Sequence, residues 1–302
     1  MTILQVPAEI SLKRVLLATD FSPASESAMR HGLSIARRYG ATADIVHIVD
    51  SLGYRLTGGD VLAQAVDLAQ RDLANFEASL LQKGLLRDVP HHMLAESCSG
   101  EVWEALCRLV RQYNVDLIVL GTHGHTGIKK FSLGSVAEQV FRHCPCPVLT
   151  VGPYVAPGIL ADGPPQHILF PTDFSPESLQ ALPFAISTAR ECEAELALLH
   201  VVQGMGEAKL DHNRIMEVIR NRLQSLIPND VKLSHPPLYL IEEGEPALSI
   251  LDSAAAHRID LIVLGLRSPE GPNQGSVWRY AYEIVCQAQC PVLTLRSAQT
   301  GH

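Results

Sequence analysis

The sequence predicts an α/β protein of two tandem domains, each a doubly wound, five-stranded parallel sheet in the order 3-2-1-4-5 with helices on both faces. Three observations carry that expectation: an internal repeat, short apolar runs suited to buried strands, and stretches of helical period between them. Arg14-Val-Leu-Leu-Ala-Thr-Asp-Phe-Ser-Pro23 recurs as His167-Ile-Leu-Phe-Pro-Thr-Asp-Phe-Ser-Pro176, so Asp20 and Asp173 stand 153 positions apart. The same offset carries His47 in Ile45-Val-His-Ile-Val49 onto His200 in Leu198-Leu-His-Val-Val202, which keeps spacing across a whole strand-helix-strand unit. Further on the offset is 144, taking Asp116-Leu-Ile-Val-Leu-Gly121 to Asp260-Leu-Ile-Val-Leu-Gly265 and Cys146-Pro-Val-Leu-Thr150 to Cys290-Pro-Val-Leu-Thr294. The second copy has therefore lost nine residues in between.

The elements follow in order. In the first copy the runs Val15 to Ala18, Asp44 to Val49, His92 to Ala95, Leu117 to Leu120 and Val148 to Val151 are rich enough in Val, Ile and Leu to be buried strands. Between them lie helices: an amphipathic one from Asp60 to Lys83, and a stripe of Val102, Ala105, Leu106, Leu109 and Val110 at helical spacing. Ala247, Ile250, Leu251, Ala254 and Ala255 repeat that stripe in the second copy. Alternation of strand and helix means a parallel sheet. The segment Gly152 to Pro165, rich in Pro and Gly, reads as a linker between domains at 1–155 and 156–302.

Bulk properties narrow the function classes. With 24 Lys+Arg against 32 Asp+Glu the formal charge is -8, and no basic run exceeds Lys129-Lys130, which disfavours nucleic-acid and anionic-membrane partners. No stretch approaches the roughly eighteen apolar residues of a membrane span, and Met1 to Ile10 does not read as a signal peptide. Seven cysteines with no C-x-x-C pair fit a reducing cytoplasmic compartment.

In an open α/β sheet the ligand crevice opens where strand order reverses, here at the ends of strands 1 and 4, Asp20 and Gly121. After strand 4 the first copy reads Gly121-Thr-His-Gly-His-Thr-Gly-Ile-Lys-Lys-Phe-Ser-Leu-Gly-Ser135, followed by the helical run Val136 to His143. Gly121 and Gly124 permit a sharp turn and close backbone approach to an anion, while Gly134 and Ser135 open a helix whose N–H groups and dipole favour phosphate. The plainer alternative is a strand-to-helix connection that simply needs glycines.

This pattern, G-x-x-G, nine residues, then G-S, with an upstream T-D-F-S-P turn, resembles the universal stress protein family, and the resemblance covers nearly the whole chain twice. In ATP-binding members of that family the loop holds phosphates and ribose, the turn after strand 1 meets the adenine and ribose side, and strand 2 meets the base through its backbone. The resemblance implies nucleotide contacts at Ala18, Thr19, Asp20, Ile48, Leu120, Gly121, Gly124, Gly134, Ser135 and Val136; His123 and His125, in the same loop, read as a polar pair near the phosphates or as simply exposed. Ala18 departs from the family, where proline is common; Pro171 restores it in the second copy. Asp20 has a second reading, as the cap of the helix that starts near Pro23.

The implied function is a nucleotide-dependent stress-response binding module that holds ATP in its first domain, with Mg2+ or Mn2+ bound through the phosphates. Asp20 is the only protein side chain suggested for the metal. A slow ATP hydrolase or a nucleotidyl- or phosphoryl-transfer enzyme is the first alternative, weakened by the lack of a G-x-x-x-x-G-K-[ST] loop. A ligand-free dimerisation scaffold is the second. The resemblance further implies pairing of the fifth strands, here within one chain as a pseudo-dimer, and association of chains into a homodimer.

In the second copy the 144 offset turns Gly124 into Ser268, Gly134 into Trp278 and Ser135 into Arg279, with Pro269 and Pro272 stiffening the stretch. The cradle reads as broken, an indole at 278 would take triphosphate space, and ATP binding is expected to be weak or absent. Asp173, Val201, Gly265, Gly275 and Ser276 remain as weaker nucleotide candidates there. The cluster His143, Cys144 and Cys146 has poor zinc spacing, and His47 and His200 read as satisfied core histidines rather than ligands. His123-Gly-His125 is similar to the H-x-G-H of nucleotidyl transferases but follows the fourth strand instead of the first, and Lys129-Lys130 reads as a solvated loop tip.

Overall fold

A computed structural model describes residues 9–50, 59–122, 133–156, 158–160, 163–204, 209–266 and 274–296, with the side chains at 59–60, 209–211 and 274–278 outside the description. The described residues fall into two compact units, Ser11–Pro153 and the chain from Tyr154 onward, the latter including Glu9 and Ile10. The first unit runs β1 (Arg14–Ala18), α1 (Pro23–Tyr39), β2 (Thr42–Asp50), α2 (Gly59–Gln82), β3 (His91–Cys98), α3 (Val102–Gln112), β4 (Leu117–Gly121), α4 (Ser135–His143) and β5 (Val148–Val151). Its strands are all parallel: β1 lies between β2 and β4, β3 pairs with β2, and β5 pairs with β4.

The second unit runs β6 (His167–Pro171), α5 (Pro176–Leu179), α6 (Leu182–Cys192), β7 (Glu195–Val202), α7 (Lys209–Gln224), β8 (Leu238–Glu243), α8 (Pro246–Ala256), β9 (Leu261–Leu266), α9 (Gln274–Gln287) and β10 (Val292–Arg296). Here β6 lies between β7 and β9, with β8 on β7 and β10 on β9. Most of the apolar runs that read as strands are buried, and Val15, Leu16, Ile45, Ile118, Ile168, Leu196 and Ile262 are fully enclosed. The run His92 to Ala95, read as a buried strand, is instead half-buried with His92 exposed, because β3 pairs with β2 alone among the described strands.

Two differences between the copies have local causes. The long α1 becomes the pair α5 and α6 in the second unit, because Pro183 has no N–H to give the turn before it and its ring crowds that turn. Helix α1 ends on Gly40 at φ 62, the left-handed cap that glycine adopts freely, whereas α6 ends on Glu193 at φ 54.

One shared device was in the repeated D-L-I-V-L-G string but its purpose is visible only in three dimensions. Asp116 precedes β4 and its Oδ2 accepts from the backbone N–H groups of Lys13 (2.7 Å) and Arg14 (2.9 Å), pinning the start of β1 to the start of β4. Asp260 does the same for Gln166 (2.8 Å) and His167 (3.1 Å). Replacing Asp116 with Ala leaves the part-buried Arg14 N–H without its partner, while the exposed Lys13 N–H turns to water, and is expected to destabilise the first unit by about 1 kcal/mol. Denaturant unfolding should show the loss in that unit's transition; an unchanged midpoint would remove this role.

Candidate functional site

The site forms where β1, β2 and β4 end. The T-D-F-S-P turn leaves β1 with Phe21 at φ 64, a conformation that bulky residues rarely take and that surrounding bonds must hold. Thr19 Oγ1 accepts from the Phe21 N–H at 3.0 Å, Asp20 Oδ1 accepts from the Ser22 N–H at 3.0 Å, and Ser22 caps α1 by accepting from the Ser25 N–H at 3.2 Å. Ser22 is thus the cap, and Asp20 shapes the turn that delivers it. The Phe21 ring packs on His47 at 4.5 Å between centroids, and His47 Nδ1 lies 2.9 Å from the Thr19 carbonyl oxygen.

The same bonds recur in the second unit, where Phe174 sits at φ 59, Thr172 Oγ1 accepts from its N–H at 2.9 Å, and Asp173 Oδ1 accepts from the Ser175 N–H at 2.9 Å. His200 Nδ1 is 2.8 Å from the Thr172 oxygen and its ring lies 4.6 Å from Phe174. Retention of Thr172-Asp-Phe-Ser175, which in sequence argues for a second nucleotide site, therefore has a sufficient structural cause.

Gly121 closes β4 against this turn. A Cβ there would stand 2.9 Å from the Ala24 carbonyl oxygen and 3.0 Å from its carbon, so α1 can rest on the strand end only because position 121 has no side chain. At Gly265 the same Cβ would meet the Glu177 and Ser178 oxygens, each at 2.5 Å. The sequence reading gave Gly121 to anion approach; the structure gives it first to helix packing, which explains why the degenerate copy keeps Gly265.

A cavity of about 320 Å³ opens over these strand ends in the first unit. Of the residues singled out in sequence, Ala18, Thr19, Asp20, Ile48, Leu120, Gly121, Gly134, Ser135 and Val136 all line it. His123, Gly124, His125, Lys129 and Lys130 lie outside the described residues. The sequence reading missed Ser25, Val102, Leu106, Thr122 and Ala137 as lining residues, and it gave His47 to the core alone, whereas the ring is both bonded at Nδ1 and on the cavity wall. Val102 and Leu106 were visible as an apolar stripe, but periodicity does not say that the end of a core face also floors a cavity.

Two sets of backbone groups give the cavity its chemistry. The first is the free edge of β2. Pairing of β2 to β1 stops at Ala18 and Val46, and the Val46 oxygen takes the Thr19 N–H at 2.9 Å. Strand groups alternate sides with a period of two, so the N–H and C=O of Ile48 point the same way as those of Val46, past the end of β1. The second is the start of α4. Gly134, at φ -60 and ψ 146, is the N-cap and supplies no side-chain bond, and its own N–H is tied to the Thr122 oxygen at 2.7 Å. The first-turn N–H groups of Ser135, Val136 and Ala137 accordingly face the cavity end of the helix, where the dipole is positive. The backbone at Gly134 is open to any residue, so a glycine there leaves approach clear but is not required by the turn.

The second unit holds a cavity of about 260 Å³ in the corresponding place, lined among others by Pro171, Thr172, Asp173, Val201, Gly265, Tyr280 and Ala281. Its helix differs. Helix α9 begins at Gln274, five residues before position 279, the counterpart of Ser135 at the 144 offset. Gly275 and Ser276 are therefore helical residues instead of a loop-and-cap pair, and position 278 is the fifth residue of a helix, not a loop position. The Trp278 side chain, Ser268, Pro269 and Pro272 lie outside what the structure describes. Arg279 pairs loosely with Glu245 (3.9 Å) and Glu283 (3.8 Å).

Among the described residues no group of three or more His, Cys, Asp or Glu side chains is gathered to hold a metal ion. Cys144 and Cys146 have their sulfurs 3.6 Å apart, and that contact together with burial drives the Cys146 thiol well above its ordinary range. Burial, reinforced by the charge of Asp260, pushes Cys290 up to about 12. Thiols so placed are inert structural residues. No described helix is long and apolar enough to cross a membrane.

Gly121→Ala and Gly265→Ala should each destabilise their own unit, by about 1–3 kcal/mol, since backbone of the facing helix must move. The shorter contacts at 265 make that the larger loss. Thermal unfolding of both variants checks the order; equal stability to the parent would show that the helices shift freely.

The chain matches a family model described as the universal stress protein family twice, over residues 11–152 and 165–296. It is 32% identical over 139 residues to universal stress protein A homolog 1 of Coxiella burnetii, covering 46% of this chain and 95% of that one. A putative universal stress protein of Staphylococcus aureus is 29% identical over 145 residues, 47% of this chain and 85% of its own. The crystal structure of a universal stress protein from Archaeoglobus fulgidus superposes with a TM-score of 0.70 at 17% identity, covering 97% of this chain and 99% of that chain. A putative universal stress protein from Pseudomonas aeruginosa gives 0.63 at 15% identity over 95% and 94%. Such low identities speak for the fold alone; it is the twofold model match that decides the assignment, and by it the chain belongs to the universal stress protein family as a tandem member.

Proposed function

We propose that the first unit binds ATP and that the chain acts as a nucleotide-dependent stress-response module. The observation that carries this reading is the pairing, across one cavity, of the Ile48 backbone edge with the uncapped first turn of α4. The strand edge offers one donor and one acceptor, which suits the edge of a heterocyclic base, and the helix start offers converging amides, which suit a polyphosphate. Mg2+ or Mn2+ would be held through the phosphates, because the described lining contributes the Asp20 carboxylate alone and one of its oxygens already holds the turn. The metal would neutralise phosphate charge; Asp20, Ser135 and the α4 amides would orient the nucleotide.

Under this reading, ligand binding stabilises the state in which α4 and the end of β4 are fixed, and so biases the surface shown to a protein partner. Hydrolysis, where it occurs, is slow, since no second carboxylate among the described lining residues stands ready to orient water.

Gly134→Trp places an indole before the amides at a position whose backbone accepts any residue, so the chain should stay folded. ATP affinity is expected to fall at least about a hundredfold, as two or more charge-assisted bonds are lost. Calorimetry with the folded variant and parent checks this. Unchanged affinity would defeat the site, and mass spectrometry of freshly denatured parent protein would separate retained ATP from ADP.

A further inference from the structure

The second cavity has kept one half of the first cavity's chemistry and lost the other. What it keeps is the strand edge. Pairing of β7 to β6 ends at Pro171 and Leu199, and the Leu199 oxygen takes the Thr172 N–H at 2.8 Å. The alternation of strand groups turns the N–H and C=O of Val201 to the same side as those of Leu199, beyond the end of β6. The opposite-facing Val202 oxygen is occupied by the Gly244 N–H at 3.1 Å, which confirms the parity. Val201 lines the cavity and is the positional equal of Ile48.

What it loses is the set of helix-start amides. Tyr280 and Ala281 line the cavity where Val136 and Ala137 do in the first unit, yet they are the seventh and eighth residues of α9 instead of its first turn. Their N–H groups are spent on helical bonds to residues 276 and 277. The helix start, with its positive dipole end, has moved about 7–8 Å along the axis. A polar bar adds to the change: the Gln203 amide donates to the Tyr280 hydroxyl at 3.0 Å, joining the end of the β7 region to α9 across positions held by Asp50 and Val136 in the first unit.

We propose that this second cavity is a site for an uncharged purine nucleoside, held by the Val201 backbone edge and the Thr172-Asp173 turn, and that it rejects the phosphorylated forms. A phosphate entering there would be desolvated beside a hydroxyl and a helix side, with no helix-start amide among the described lining residues to receive it. A neutral ligand meets the base-edge pair, the Thr172-Asp173 turn, the apolar walls of Ile250 and Leu264, and the polar bar. The smaller volume, about 260 Å³ against 320 Å³, points the same way. This site is independent of ATP binding in the first unit.

The test uses the full chain carrying Gly134→Trp, titrated by calorimetry with adenosine, AMP and ATP. The expected result is one adenosine per chain, bound at least about tenfold more tightly than either phosphorylated form, a difference of about 1.4 kcal/mol. Adding Ala281→Leu, which fills the cavity from α9, should abolish that binding while thermal unfolding of the second unit is retained. A second filling variant, Ile250→Phe, guards against loss of fold in the first. Equal or tighter ATP binding by the Gly134→Trp chain overturns the proposal, as does an absence of adenosine binding by a folded protein or its persistence in a folded, cavity-filled variant. The single variant Ala281→Leu, titrated with ATP, reports on the first unit separately, so failure there leaves this inference standing on its own data.

Discussion

The contact on which both units depend is the seating of a helix start on a strand end that has no side chain. Gly121 lets the first turn of α1 approach β4, and Gly265 lets α5 approach β9. Each approach is fixed by the turn that precedes the helix, with Phe21 and Phe174 held at positive φ by the Thr and Asp side chains before and beside them. Strain of that kind costs on the order of 1–3 kcal/mol per residue and survives only where the surroundings over-determine it. Here three side-chain bonds and one histidine ring do so in each copy. The cavity is a consequence: once the helix is seated, the strand ends, the turn and the next helix start must face one another.

With the frame common to both units, the described residues differ at the cavity in two respects, the Gln203–Tyr280 bar and, more deeply, the residue at which the last helix begins. Ser135 opens α4 and leaves its first amides to the cavity, whereas Gln274 opens α9 five residues ahead of the matching position and draws the corresponding amides into helical bonds. Under the two proposals, this shift in helix start is what separates a polyanion site from a neutral one. The stretches Gly121 to Ala137 and Gly265 to Ala281 are equal in length, so the earlier start of α9 owes nothing to the nine residues lost ahead of β9.

Much of the fold was legible in the sequence because the repeat is reinforced by strand-length apolar runs, and burial on both sheet faces leaves such runs little freedom. The helix break at Pro183 was equally open to reading but needed the copies compared at that residue. The cavity was legible at Gly134, Ser135 and, through the family resemblance, Ile48, all of which line it. It was less legible where a residue also serves the frame: Thr172, Asp173, Ser175 and Gly265 line the second cavity, yet their turn bonds and close helix contact give them a structural role that local sequence does not separate from a ligand role. The start of α9 was hidden because Gly275 and Ser276 imitate a loop-and-cap pair, and local composition does not reveal that a helix continues through them.

That distinction between frame and chemistry bears on how ligand binding can act on this chain. The strained turn is present whether or not the unit has amides for phosphate, so its strain is not a reserve that nucleotide releases. A ligand can shift a conformational equilibrium only by its difference in affinity between states. Under the proposed function that difference would reside in α4, whose N-cap Gly134 supplies no side-chain cap. In α9 the amides that face the cavity are already satisfied, and the helix gains nothing from an anion. On that proposal, ligand response and structural strength are separated by element: α1 and the T-D-F-S-P turn hold the unit together, and the helix after β4 is where occupancy would be felt.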